Sequence, residues 1–194
     1  MFRDLLLPIT GTPTDAATVE SGVRLARALG AHLSVLETVS LPMSMPAPWG
    51  GGIPEALLQD LHAALLERGA ANVAKLRGRL AGEGIAHEVR LAEALFAEPP
   101  QLAALHARHA DVALLGGVQG LAADDAAAVR RMFAELLFQS GRPLLAIPPQ
   151  HPCEWPVRHA VVAWQPTREA ARALHDALPL LAQAASVDVL MVDP

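Results

Sequence analysis

The chain has 194 residues, 52% of them hydrophobic and 18% charged, a globular composition that excludes intrinsic disorder and suits one ordinary domain plus a remainder. A net charge of −5 argues against a nucleic-acid backbone as partner, which needs clustered Lys and Arg. Cys153 is the only cysteine, which excludes a disulfide framework and a cysteine zinc site.

From Met1 to Pro8 the apolar run is too short for a signal peptide, and no stretch approaches the roughly 20 apolar residues of a membrane span, so a cytoplasmic protein is expected. Leu5 to Ile9 is a compact apolar run, as in a strand buried on both faces. Thr12 reads as the N-cap of a helix with Pro13 in its first turn and Asp15 three residues on. That helix places Ala16, Val19, Val23 and Ala26 on one face and stops at Gly30. A second buried strand spans Leu33 to Val39. Strand, helix and strand with short joins imply a right-handed parallel crossover.

Leu41 to Pro54 is rich in proline and glycine and reads as an inserted loop over the domain edge, with a lid or partner surface as the alternative. A long helix is expected from Glu55 to Ala81, with Leu58, Leu61, Leu65, Val73, Leu76 and Leu80 near one stripe. Ile85 to Leu91 alternates apolar and polar residues, which suits a strand near a sheet edge. Pro99 and Pro100 precede a short helix, Gln101 to His109. Val112 to Leu115 is the fourth strand, followed by Gly116, Gly117 and Gly120. The fourth helix runs from about Asp124 to Ser140, with Asp124 and Asp125 complementing its dipole. Pro143 to Ile147 is the fifth strand.

Residues 1–148 therefore read as an α/β domain, a doubly wound sheet of five parallel strands. Residues 149–157 form a proline-stiffened linker. Residues 158–194 repeat the beginning: Ala160 to Thr167 aligns with Leu5 to Thr12, Ala171, Leu174, Leu178 and Leu181 repeat the helix spacing, and Val187 to Leu190 aligns with Leu33 to Leu36. Such repetition implies two tandem copies of one domain, the second cut short after one strand–helix–strand unit. A lone unit of that kind lacks half its sheet and must lean on the first copy or on another chain.

The order of elements, the Leu-Pro-Ile-Thr-Gly-Thr bend at Leu7 to Thr12, and the ending Gly141-Arg142-Pro143-Leu144-Leu145-Ala146-Ile147-Pro148 resemble the universal stress protein family, in its tandem-domain form. The resemblance implies strand order 3-2-1-4-5 and frequent dimerisation. It also implies a division into members that bind adenine nucleotides and members that do not. In the binding members an aspartate ends the first strand, and the fourth strand leads to Gly, two residues, Gly, nine residues, then Gly and Ser or Thr. Gly117 and Gly120 match the first two glycines. Arg130 and Arg131 stand where the later pair belongs. Thr10 stands in the aspartate position, followed by Gly11.

With that strand order the ligand crevice lies at the carboxyl ends of the first and fourth strands, bringing Thr10, Gly11 and Thr12 toward Gly116, Gly117 and Gly120. One reading is an ATP or AMP pocket, with Arg130 or Arg131 offering charge to a phosphate. The other is a glycine turn that no longer cradles a ligand, since a partial glycine motif is a weak signal. His106 and His109 sit one helical turn apart without a visible third ligand, so no metal is expected. Cys153 reads as an ordinary thiol. Trp155 and Trp164 read as packing residues where the copies meet.

No catalytic constellation stands out. The leading expectation is a non-enzymatic stress-response protein with an eroded nucleotide site. It would act as a homodimer through the fifth-strand edge, Leu144 to Ile147, or through the short repeat, with no nucleic-acid or membrane partner. An adenine-nucleotide binder using Thr10 and the 116–120 loop is the alternative, and a slow nucleotide hydrolase is a third.

Overall fold

Apolar runs of the kind seen at Leu5 to Leu7 and Val112 to Leu115 need cover on both faces, and the fold supplies it. The computed structural model describes residues 2–40, 54–94, 97–149 and 153–192; the loop expected from Leu41 to Pro54 lies outside them but for Pro54, as does His151 beside Cys153. In chain order the elements are β1 (Asp4–Pro8), α1 (Asp15–Leu29), β2 (His32–Ser40), α2 (Glu55–Leu80), β3 (His87–Ala94), α3 (Pro99–Ala107), β4 (Val112–Gly116), α4 (Ala123–Gln139) and β5 (Leu144–Ile147). They are followed by β6 (His159–Trp164), α5 (Arg168–Leu181) and β7 (Ser186–Met191).

The first five strands form one parallel sheet in the order β3-β2-β1-β4-β5. Leu5 sits between Leu33 and Val112, so β1 and β4 are the central pair. Period-two alternation then sorts the core. Leu5, Leu7, Leu33, Val35 and Leu114 pack with Val19, Val23 and Ala26 of α1 and with Val73, Leu76 and Leu80 of α2. Leu6, Leu36, Ala113 and Leu115 face the other way, against Ala103 and Ala107 of α3 and Val129, Met132 and Leu136 of α4.

Three helices differ from expectation. Thr12 does not cap α1: the helix begins at Asp15 with Thr14 before it, and residues 11–14 form a turn in which the Asp15 N–H donates to the Thr12 carbonyl at 3.2 Å. In α2 only the C-terminal half meets the sheet; Leu57 and Leu61 are exposed while Val73, Leu76 and Leu80 are buried. Length accounts for this, because 26 helical residues span about 39 Å and a nine-residue strand about 30 Å. The helix simply outruns its sheet. Helix α3 includes the two prolines, which occupy its first turn, and the Glu98 N–H donates to Gln101 Oε1 at 3.2 Å.

Strands β6 and β7 pair in parallel as a separate two-stranded sheet, with α5 between them in sequence. Thr167 caps α5, its Oγ1 accepting from the Ala170 N–H at 3.2 Å. Trp155 and Leu180 pack against the α1–α2 side of the main core. Helix α5 faces the free edge of β5 across a cavity of about 730 Å³, lined by Phe2, Leu144, Leu145, Ala173 and Leu180 among others. Among the described residues no helix is long and apolar enough to cross a membrane.

Candidate functional site at the carboxyl edge of the sheet

Strand β1 ends in a bend, Thr10 to Thr14, that crosses to the start of α1. Gly11 has φ +75°, which a residue with a side chain rarely adopts. The threonines are tied in series: Thr10 Oγ1 and Thr12 Oγ1 lie 2.8 Å apart, Thr12 Oγ1 and Thr14 Oγ1 2.9 Å, and Thr18 Oγ1 donates to the Thr14 carbonyl at 2.8 Å. Strand β4 ends against this same bend. A Cβ on Gly116 would lie 2.6 Å from Thr14 Oγ1 and 2.7 Å from Thr18 Oγ1. The threonine bend and the diglycine bend are thus on one edge of the sheet and in contact. No space remains between them at that point.

The N–H groups of Thr10 and Gly11 in the first bend and of Gly117 in the second are engaged by the chain itself. The Thr10 N–H donates to both carboxylate oxygens of Asp15, at 3.1 and 3.2 Å, and Thr10 Oγ1 donates to Asp15 Oδ1 at 2.7 Å. The Gly11 N–H donates to Asp15 Oδ2 at 2.8 Å. Burial pushes the Asp15 carboxyl above its usual range, and these hydrogen bonds only partly offset it. On the β4 side, the Gly117 N–H donates to the Ile147 carbonyl at 2.7 Å, and Gly120 turns the chain at φ +78°. The N-terminus of α4 carries Asp124 and Asp125, whose charges repel an anion from the helix end.

Open space lies beside the bends, not between them. A cavity of about 650 Å³, within the usual range for small-molecule sites, is lined by Thr10, Gly11, Glu37, Arg68, Gln101 and Arg131, among others. Thr12 and Asp15 line a neighbouring recess of about 360 Å³. Gly116, Gly117, Gly120 and Arg130 line neither.

Glu37 and Arg68 were not among the expected site residues. Glu37 Oε2 accepts from Asn72 Nδ2 at 2.5 Å. Burial raises its pKa and the nearby Asp15 charge adds to this, while the Asn72 hydrogen bond and Arg68 oppose it. The available signal was an acidic residue inside a strand whose neighbours Leu36 and Val39 read as core. Arg68 gives none, since a charged residue on a long helix reads as solvated surface.

Among the described residues no group of three or more His, Cys, Asp or Glu side chains is placed to hold a metal ion. Cys153 is half-buried, and burial pushes its thiol pKa up, away from the reactive thiolate.

No family model matches the chain, and no curated protein matches it by sequence. Solved structures match in shape. The universal stress protein UspA from Lactobacillus plantarum superposes with a TM-score of 0.60 at 15% identity, over 75% of this chain and 97% of that one. A universal stress protein from Archaeoglobus fulgidus DSM 4304 does so with a TM-score of 0.66 at 16% identity, over 98% of this chain and 66% of that one. A universal stress protein in complex with cAMP matches with a TM-score of 0.50 at 17% identity, over 78% of this chain and 99% of that one. With the strand order β3-β2-β1-β4-β5 and helices on both faces, this chain has the universal stress protein fold.

Proposed function

We propose that the protein is a universal stress protein of tandem type. It works without catalysis as a dimerising interaction module, and its own Asp15 takes the place of a bound phosphate. The observation that carries this reading is the Asp15 carboxylate on the N–H groups of Thr10 and Gly11. A phosphate at the bend would need those same donors and would face a buried carboxylate of like charge. The commitment of the Gly117 N–H to Ile147, and the acidic start of α4, support the same conclusion for the second bend. The Archaeoglobus match, which runs over 98% of this chain, supports reading residues 158–194 as part of a second copy.

The second reading is an adenine-nucleotide binder. It is favoured by one observation, the cavity of about 650 Å³ with Arg68 and Arg131 in its wall, and by the cAMP complex of a structural neighbour. Mass spectrometry of ligand released from the purified protein, with a thermal-shift titration of ATP and Mg²⁺, separates the two. The proposal expects no released nucleotide and no saturable shift. A saturable shift in the wild type that disappears in Arg131→Ala would establish the second reading instead.

A further inference from the structure

The opposite edge of the sheet carries a concentration of titratable groups that the carboxyl-edge site does not use. Alternation along β2 and β3 puts His32, Ser34, Glu88 and Arg90 on the face that α3 covers. Helix α3 is only nine residues long, and just past its end the chain brings His109 close to His106. Between them lies a cavity of about 330 Å³, too small for a nucleotide and ample for a small ion. Its charged and titratable walls are Asp4 from β1, His32 from β2, Glu88 and Arg90 from β3, and His106 and His109 from the α3 end.

The acids here are already engaged. Glu88 accepts from Ser34 Oγ at 2.7 Å and pairs with Arg90. The Arg90 hydrogen bond, followed by that of Ser34, overcomes burial and holds the Glu88 carboxyl below its usual range. Asp4 lies 3.9 Å from His32 Nδ1. The side chains of His106 and His109 differ: neither has a hydrogen bond or ion pair among the described residues. Burial, then the charges of Arg90 and His109, depress the basicity of His106. Two imidazoles without a hydrogen-bonding or ion-pair partner among the described residues therefore line the same cavity as the Arg90 guanidinium, which Glu88 engages.

We infer that this cavity is a binding site for a small tetrahedral oxyanion, of phosphate or sulfate chemistry, occupied when its imidazoles are protonated. Besides Asp4, its polar walls come from three elements, β2, β3 and the end of α3. A tetrahedral ion can accept from all three, whereas a carboxylate presents its oxygens in one plane. Proton and anion then reinforce each other: the anion offsets the burial cost and the Arg90 repulsion that lower the basicity of His106, and protonation supplies the donor. With the imidazoles neutral, Asp4, Glu88 and Arg90 leave the cavity with a formal charge of −1, which disfavours the anion. The site is independent of whatever binds at the carboxyl edge.

The test is an NMR titration of the histidine C2–H resonances in the full chain. The probes are sulfate, inorganic phosphate and malonate, each matched in ionic strength by sodium chloride. Sulfate keeps its charge across the range and so isolates the protein's own protonation. Saturable shifts of the His106 and His109 signals are expected with sulfate, with affinity falling about tenfold or more between about pH 5.5 and about pH 7.5. Bound sulfate should also raise the pKa of His106. The shifts should be lost in the double variant His106→Gln, His109→Gln and kept in Asp15→Ala. Shifts reproduced by chloride alone, retained in the double variant, or stronger with malonate than with sulfate would each overturn the inference. If the double variant does not fold, the wild-type comparison of sulfate with chloride and malonate decides.

Discussion

Asp15 and Asp111 both accept hydrogen bonds from backbone N–H groups, yet their carboxyls move in opposite directions. For Asp111 burial works upward, but the N–H groups of Arg3 and Asp4, at 2.6 and 3.1 Å, together with the Arg142 charge, outweigh it and hold the pKa down. For Asp15 burial wins. The signs of their contributions to stability follow. The depressed Asp111 adds stability above the unfolded value of 3.8 and loses it as pH falls through the folded pKa. The raised Asp15 adds stability below 3.8 and loses it as pH rises through its folded pKa. Asp111→Asn keeps an acceptor oxygen and removes only the charge. Because the site is largely solvated, it should cost about 0.5–1 kcal/mol at neutral pH, a cost that shrinks as pH falls below 3.8 and through the folded pKa. Asp15→Asn should show the opposite slope, its stability gaining on the wild type as pH rises. Urea unfolding across pH measures both, and parallel curves would contradict the assignment. Sequence alone identified Asp15 as a helix-start residue, because an acid near a helix N-terminus has that common use; its reach back to Thr10 and Gly11 depends on the turn geometry.

Among the elements, the central strands were legible because they are buried on both faces and leave an unbroken apolar signature, whereas the edges of elements were not. Thr12 had the right residue type for a cap, but the hydroxyls of Thr10 and Thr14 engage its side chain and delay the helix by two residues. The stripe on α2 was visible over its full length, though only half of it finds a sheet to meet. Glycines show what pattern reading misses. Gly116 and Gly11 look alike in sequence and serve different needs. Gly116 is required by space, since any Cβ would enter the contact of β4 with Thr14 and Thr18. Gly11 is required by its backbone angle and has open space around it. Gly116→Ala should therefore destabilise by about 1–3 kcal/mol through overpacking. Gly11→Ala should cost about 1 kcal/mol through backbone strain alone. A urea midpoint for Gly116→Ala no lower than that for Gly11→Ala would show that the threonine contact yields easily.

For the molecule as a whole, the two strand–helix–strand units present the same positions in different surroundings. Val161 aligns with Leu6 and Leu190 with Leu36; in the first unit these positions are 1% and 0% exposed, in the second 63% and 54%. In the first unit the corresponding face is covered by α3 and α4, and no described element takes that role for β6 and β7. An apolar sheet face of this kind marks an interaction site in a folded protein. A second copy of the chain would offer the same face in return, as two-fold association requires. Sedimentation analysis at micromolar concentration is expected to find a dimer. The double variant Val161→Asp, Leu190→Asp should convert it to a monomer while leaving the urea midpoint of residues 1–148 unchanged, because neither side chain belongs to that core. A strictly monomeric wild type, or a dimer indifferent to both charges, would mean that these strands meet a different partner and that the fifth-strand edge must be tested in its place.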